Sequence, residues 1–150
     1  MTLQEFLVKA KIHTYASAGE GGERNLDDGS KELIYEEGEW KYRDRYFGSD
    51  RFIGEEIVWQ NGVVAWAMNY YGGVTADEVS AEKVYEFLKK ALRQVEKDRP
   101  FRGPLELKEG AWEYHNENEG TIDDFKGREK ILYREELVFE LIYHGGAIQK

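Results

Sequence analysis

Two segments of this chain repeat one pattern. WAMNYYGGV at 66–74 and FELIYHGGAI at 139–148 are both strand-like aromatic runs that end in a Gly-Gly pair. Extending the alignment gives about eleven identities in some forty positions: Leu33/Leu105, Glu37/Glu109, Gly38/Gly110, Trp40/Trp112, Tyr42/Tyr114, Phe52/Phe125, Gly54/Gly127, Glu56/Glu129, Tyr70/Tyr143, Gly72/Gly145 and Gly73/Gly146. A duplicated sequence forms the same supersecondary unit twice. We therefore predict a single domain over 1–150, made of two pseudo-repeats at about 1–74 and 75–150.

Each half begins with a helix signal. Thr2 and Glu5 form a capping box before apolar residues at helical spacing, and Thr75 and Glu78 repeat that box. The second helix is expected to carry the apolar stripe Val84, Leu88, Ala91 and Val95 and to stop by Pro100.

The segments after the helices alternate with a period of two. EIVWQNGVVAWAMNYYGG holds two such runs around Asn61-Gly62, the residue pair that suits a type I′ hairpin turn. Val64, Trp66, Met68 and Tyr70 are predicted to share one face, and Leu137, Phe139, Leu141 and Tyr143 the matching face of the second half.

The predicted fold class is α+β. Each unit is a helix followed by an antiparallel β-meander, and two units form one curved antiparallel sheet with helices packed on it. A more closed barrel around the second helix is the alternative.

Composition limits the classes of function. The chain has 150 residues, a formal net charge of −9 and no cysteine. Acidic residues are scattered, so nucleic-acid binding by this chain is disfavoured. The absence of cysteine fits a reducing cytoplasm, and the absence of a long apolar run disfavours membrane insertion. The many Glu and Lys residues resemble a thermophile's surface.

Several motifs occur in order along nearly the whole chain: YRDRYFG, FIGEEIVWQNG, WAMNYYGG, FRGP, FKGRE and YHGG. Together they resemble an uncharacterised bacterial and archaeal domain family of unknown function. Some members of that family carry an N-terminal helix-turn-helix domain, which implies a sensor or regulatory module. This sequence starts directly at the shared domain, so DNA binding is not expected of it.

Carboxylates are the candidate catalytic groups. Glu56 and Glu129 are equivalent in the repeat, and a pseudo-dyad that brought them together would give one of them a raised pKa and supply an acid and a base. Asp44 and His144 are further candidates. The alternative is that each Glu binds a neighbouring strand, a Tyr hydroxyl or an Arg.

The candidate ligand-binding residues are aromatic or polar groups near the repeated motifs. They are Trp66, Asn69, Tyr70, Arg102, Tyr143 and His144. Tyr offers a flat face and a hydroxyl, and Arg can clamp an anion in a bidentate manner. The alternatives are a core role for Trp66, carbonyl binding by Arg102 and a structural hydrogen bond for His144. The Gly pairs admit a ligand, or mark turns with positive φ.

A small-ligand-binding or sensing module with its pocket near the junction of the halves is the function that these residues favour. An acid/base hydrolase or isomerase is one alternative, and a protein-interaction module or homodimer is another. No zinc, calcium or phosphate-loop motif is present, so no metal or cofactor is expected. The acidic, Gly-rich loop over 16–30 is typical of a mobile surface loop, with a lid over the pocket as its functional alternative.

Overall fold

A computed structural model describes residues 1–14 and 22–149. Its two helices are α1 (Leu3–His13) and α2 (Ala81–Leu92). The strands are β1 (Arg24–Asn25), β2 (Lys31–Glu37), β3 (Trp40–Gly48), β4 (Arg51–Gln60), β5 (Val63–Val74), β6 (Glu106–Glu109), β7 (Trp112–Thr121), β8 (Asp124–Tyr133) and β9 (Glu136–Ala147). Residues 16–21 of the predicted surface loop, for which a lid was the alternative, lie outside the described residues.

All nine of these strands form one antiparallel sheet in the order β1-β2-β3-β4-β5-β9-β8-β7-β6. The order leaves β1 and β6 as its two edges, so the sheet is open. The predicted α+β class with a curved antiparallel sheet is confirmed, and the more closed barrel around the second helix is wrong. Neither helix is long and apolar enough to cross a membrane, within the part of the chain described.

The two meanders meet along β5 and β9. Tyr70 and Tyr143, which are equivalent in the sequence repeat, are direct Cα partners across this seam. Pairing then proceeds outward in matched order, with β4 and β8 next and β3 and β7 beyond them. The seam therefore lies on a pseudo-two-fold axis, and equivalent side chains of the two halves face the same side of the sheet.

The helices cover one face of the sheet. Phe6 of α1 stacks on Trp40 at 5.5 Å between ring centroids, and Phe87 of α2 stacks on Trp112 at 5.3 Å. Since Trp40 and Trp112 are equivalent in the repeat, each helix packs on a matching position. Burial of such large aromatic groups supplies much of the hydrophobic stabilisation.

The start of α1 is as predicted, and the start of α2 is not. Thr2 and Glu5 form the capping box. In the second half Ser80 is the N-cap instead, because β5 continues to Val74 and the Thr75 N–H still donates to Val138 O at 2.9 Å. Strand pairing across the seam takes precedence over the local capping signal. The stripe of Val84, Leu88, Ala91 and Val95 is buried, although Val95 lies beyond the end of α2.

A β-bulge recurs at the equivalent place in both halves. The register shifts between Val58 and Trp59 opposite β5, and between Ile131 and Leu132 opposite β9. Because of the extra residue, the side chains on the two sides of the bulge no longer alternate in phase between the two faces of the sheet. Val64 and Leu137, each 37% exposed, therefore lie outside the buried face that was predicted for them.

Glycines within the seam allow close backbone approach. Gly72 lies inside β5 and Gly145 inside β9. A Cβ at Gly72 would collide with Glu140 O and Leu141 Cα, and one at Gly145 with Ala67 O and Met68 Cα. These pairs do not form turns as predicted, because both strands continue past them and pair with each other, although Gly73 does have a positive φ, of 150°.

The β4–β5 hairpin turn has positive φ at Asn61 (50°) and Gly62 (81°), as a type I′ turn requires. The equivalent β8–β9 turn has positive φ at Arg134 (49°) and Glu135 (67°). Residues with a Cβ occupy this conformation at a cost of roughly 1–2 kcal/mol each. The second turn is therefore a strained copy of the first.

Replacing Arg134 with Asn and Glu135 with Gly should raise the free energy of unfolding by about 1 kcal/mol, since relief of strain exceeds the added freedom of Gly in the unfolded chain. Urea unfolding measures the change. The exchanged control, Asn61→Arg with Gly62→Glu, should lower stability. An unchanged or less stable Arg134→Asn/Glu135→Gly protein would contradict the assignment of strain.

Candidate functional site

A cavity of about 430 Å³ lies between α2 and the sheet of the first half. Its walls include the apolar parts of Phe52, Tyr85, Leu88 and Leu92. Asp44, Tyr70 and Arg102 also line it. The remaining lining residues are Glu23, Lys31, Leu33, Tyr46, Gly48, Ser49, Asp50, Ala81, Glu82 and Lys89.

Asp44 and Tyr70 form the polar contact in this cavity. Tyr70 of β5 reaches across Gly54 of β4, where a Cβ would lie 2.5 Å from the Tyr70 hydroxyl oxygen. The hydroxyl donates to Asp44 Oδ1 on β3 at 2.5 Å. Burial, followed by the charge of Asp44, raises the pKa of Tyr70 well above its ordinary value, so Tyr70 remains a donor.

The second half repeats this contact with a neutral acceptor. Tyr143 reaches across Gly127, where a Cβ would collide with its ring, and donates to Asn116 Oδ1 at 2.7 Å. Asn116 corresponds to Asp44 in the repeat, and its Nδ2 donates to Gly103 O at 2.9 Å. Both polar atoms of the amide therefore have a partner, and Nδ2 holds the chain that follows α2.

Lys11 and Glu56 form a fully buried ion pair. Lys11 Nζ lies 2.9 Å from Glu56 Oε1, and both side chains are 0% exposed. Lys11 also donates to Phe101 O at 2.5 Å and lies 5.7 Å from the centre of the Trp66 ring. The ion pair ties α1 to β4 and to the segment between the halves.

Arg102 and Glu129 form a second buried ion pair. Arg102 Nη2 donates to Glu129 Oε1 at 2.8 Å, and Nε contacts both carboxylate oxygens. Tyr114 donates to Glu129 Oε2 as well. The guanidinium carbon of Arg102 also lies 5.7 Å from the centre of the Tyr70 ring, which places the pair beside the cavity.

The buried charge cluster, defined as Lys11, Asp44, Glu56, Arg102 and Glu129, contains two cations and three carboxylates. Both cations are paired with glutamates. Within residues 1–14 and 22–149, Tyr70 is the only hydrogen-bond donor to the Asp44 side chain, and no cation lies within ion-pair distance of it. Asp44 is thus the carboxylate that lacks a balancing charge.

This imbalance changes the titration of Asp44. Burial, then the charge of Glu56 directly opposite on β4, raises the pKa of Asp44 to about 7. The Tyr70 hydrogen bond and the charges of Arg102 and Lys11 act in the opposite direction. At neutral pH the Asp44 carboxyl is therefore divided between its protonated and ionised forms.

The predicted pairing of Glu56 with Glu129 does not occur. β5 and β9 separate their strands, so three interstrand steps of about 4.8 Å place them roughly 14 Å apart across the strands, and the register offsets them by a further four residues along the strands. Each binds its own cation instead. The neighbouring carboxylates are Asp44 and Glu56, which are Cα partners on β3 and β4.

The other predicted ligand-binding residues lie away from the cavity. Trp66 is fully buried, stacks on Phe125 at 5.7 Å and donates through Nε1 to Ile122 O at 3.0 Å. Tyr143 is buried in its contact with Asn116. Asn69 and His144 are exposed Cα partners on the outer face of the seam.

The outer face of the sheet is not covered by the described helices. Asn69 and His144 border a shallow depression there, with the small residues Ala67 and Gly145. Beside it, the Cα-paired row Ile53, Tyr71 and Ile142 is more than half exposed. The predicted site residues thus fall into two groups on opposite faces.

Over the described ranges, no cluster of three or more His, Cys, Asp or Glu side chains could hold a metal ion.

Sequence reasoning missed four residues that shape the site. Lys11 follows Leu7 by four positions and so shares the buried face of α1. The repeat alignment pairs Asn116 with Asp44, which would have shown the loss of a charge in the second half. Phe52 and Tyr85 come together only in the fold, at 6.1 Å between ring centroids.

The unbalanced charge predicts how Asp44→Asn will behave. Because the pKa of Asp44 is raised from the unfolded value of about 3.9, wild type loses stability as pH rises from about 4 through 7. The Asn variant, which copies Asn116, escapes this loss. Its stability relative to wild type should increase over that range by up to about 4 kcal/mol, at about 1.4 kcal/mol per pKa unit.

Urea unfolding at a series of pH values measures this difference. Asp50→Asn, which removes an exposed carboxylate from the cavity rim, should show no comparable trend. A stability difference between Asp44→Asn and wild type that stays constant from acid to neutral pH would contradict the raised pKa.

Comparison with known proteins identifies a family but no activity. No curated protein and no solved structure matches this chain. Residues 44–148, more than half of the chain, match a family described as Domain of unknown function (DUF5680). The matched range begins at Asp44 and contains Tyr70, Arg102 and Glu129. The chain belongs to the DUF5680 family.

Proposed function

We propose that this chain is a small-molecule-binding module and that the cavity between α2 and the first half of the sheet is its binding site. The observation that carries the proposal is the placement of a buried, unbalanced carboxylate in the wall of a cavity of about 430 Å³. A buried charge without a partner costs stability. A ligand group that pairs with Asp44 in the cavity would offset this cost, and this would explain why the fold contains the buried carboxylate there.

The cavity has the general composition of a small-ligand site. Such sites occupy roughly 300–1,000 Å³ and combine apolar walls with a few fixed polar groups. Here Phe52, Tyr85 and Leu88 supply apolar surface, while Asp44 and Tyr70 supply a hydrogen-bonded polar pair. Because the seam and the buried ion pairs fix these strands, the polar groups are held in place before a ligand enters.

The cavity lies close to the junction of the halves. Arg102, from the segment that links α2 to β6, borders it together with residues of β3, β4 and β5. This location supports the sequence-based expectation of a pocket near that junction. The symmetric copy of the contact, Tyr143 with Asn116, is buried in the structural contact with Gly103 instead.

An acid/base enzyme is a second candidate, and one observation favours it. A carboxyl with a pKa of about 7 can both donate and accept a proton near neutral pH. Tyr70, its hydrogen-bond partner, is held protonated and does not serve as a base. We rank binding first because it requires only the cavity and Asp44, whereas catalysis requires a second proton carrier.

A metabolite screen by thermal shift tests the binding proposal. At least one compound should raise the Tm of wild type, because a ligand that binds only the folded state stabilises it. Ala81→Trp places a large side chain at a cavity-lining position and should abolish that shift. Ala111→Trp, the same substitution at an exposed turn, should retain it.

The comparison of the two Trp variants identifies the site. If every stabilising compound acts equally on both variants, binding occurs elsewhere and the cavity proposal is wrong. If a broad metabolite library contains no compound that stabilises wild type, the proposed function is wrong as well.

A further inference from the structure

The charge balance of the cavity identifies the class of ligand. We infer that the cavity binds a small organic cation, whose ammonium group pairs with Asp44 and whose apolar body lies against Phe52, Tyr85 and Leu88. This inference rests on the proposed binding function and specifies its ligand.

The buried charge cluster has one carboxylate more than it has cations. Lys11 is matched to Glu56 at 2.9 Å and Arg102 to Glu129 at 2.8 Å. Asp44, 4% exposed, has the Tyr70 hydroxyl on Oδ1 and no cation of its own within the described chain. A ligand ammonium beside Asp44 would make the numbers of cations and carboxylates in the buried charge cluster equal. Charge-assisted hydrogen bonds of this kind are short and strong.

The second half of the molecule has a neutral residue at the position equivalent to Asp44. At the position equivalent to Asp44 the chain has Asn116, which accepts from Tyr143 just as Asp44 accepts from Tyr70. A neutral amide therefore suffices for the structural contact. The negative charge of Asp44 is not needed to hold the tyrosine, and it occurs in the half whose contact borders a cavity.

Aromatic rings line the cavity near the Asp44 carboxylate. Phe52 lies 5.8 Å from Tyr70 and 6.1 Å from Tyr85 between ring centroids, so aromatic groups line the route to Asp44. Aromatic faces attract cations. Arg102 could oppose a cationic ligand, but its charge is bound to Glu129. The net charge of −9 also draws cations toward the molecule.

Acidic groups also outnumber basic groups around the rest of the lining. The other charged residues of the lining are three carboxylates and two ammonium groups: Glu23, Asp50 and Glu82, and Lys31 and Lys89. This balance favours a cation over a carboxylate or phosphate ligand, which would meet Asp44 at the cavity wall.

Binding of an amine should depend on pH. The ammonium requires ionised Asp44, so below the Asp44 pKa of about 7 binding must release a proton. Affinity should then rise about 10-fold from about pH 6 to about pH 8. The charged or titratable groups that act on Asp44 or line the cavity with it are Lys11 of α1, Lys31 of β2, Tyr46 of β3, Glu56 of β4, Tyr70 of β5, Glu82, Tyr85 and Lys89 of α2, and Glu23, Asp50 and Arg102.

Matched probes of one skeleton test the inference. The probes are 2-phenylethylamine, 2-phenylethanol and 3-phenylpropanoate, measured at millimolar concentration by calorimetry at about pH 8. The amine should bind at least about 10-fold more tightly than the alcohol or the carboxylate. Asp44→Asn should remove that preference, while Asp98→Asn, which removes an exposed carboxylate outside the cavity lining, should change amine affinity by no more than about 2-fold, as a screened surface charge.

The results separate this inference from the proposed function. If the alcohol or carboxylate binds as tightly as the amine and Ala81→Trp blocks it, the cavity binds ligands but the cation inference is wrong. If 2-phenylethylamine fails to bind at all, the inference is overturned, and the metabolite screen decides the binding function independently. Equal losses in Asp44→Asn and Asp98→Asn would show a general field instead of a site, and would also overturn it.

Discussion

Antiparallel pairing of β5 with β9 is the constraint on which the rest of this structure depends. The two strands approach closely because Gly72 and Gly145 lack side chains at the points of contact. Their pairing sets Tyr70 directly opposite Tyr143 and turns both rings toward the helices. Each ring then crosses a glycine on the next strand to reach a polar partner on the strand beyond. The seam thus determines both the sheet order and the position of the buried polar groups.

The proposed function rests on how the halves differ at equivalent places. Asn116 and Asp44 accept equivalent tyrosine hydrogen bonds, yet the amide binds Gly103 and the carboxylate borders a cavity. The glutamates of the two halves are retained, but one binds Lys11 and the other Arg102. The buried charge cluster therefore has two cations and three carboxylates, and the unbalanced Asp44 lies in the cavity wall. The proposed binding function depends on this asymmetry within a symmetric scaffold.

Local and periodic signals predicted much of the fold. The repeat predicted equivalent meanders, Asn61-Gly62 predicted the hairpin, and Thr2 with Glu5 predicted the start of α1. Predictions failed where pairing between distant segments determines the result. β5 extends across the seam and displaces the start of α2 to Ser80, and the bulge shifts Val64 to the exposed side.

The candidate site was harder to predict, for the same reason. Asp44, Tyr70 and Arg102 were identified from their motifs, but Glu56 and Glu129 were paired with each other on symmetry alone. Strand order decides that question, since two strands separate them. Lys11 contacts Phe101 across ninety positions of sequence, a contact that no local pattern reveals. Burial and charge balance are properties of the assembled core, so the special position of Asp44 appears only there.

The most direct test of this account is an NMR titration of the Asp44 side-chain carboxyl carbon in the ligand-free protein. We expect a midpoint at about pH 7, because the carboxylate is buried beside Glu56 without a cation of its own. A midpoint near the ordinary Asp value of about 3.9 would contradict it. Asp44 would then already have a balancing charge or ready access to water, and the case for a cation-binding cavity would be lost.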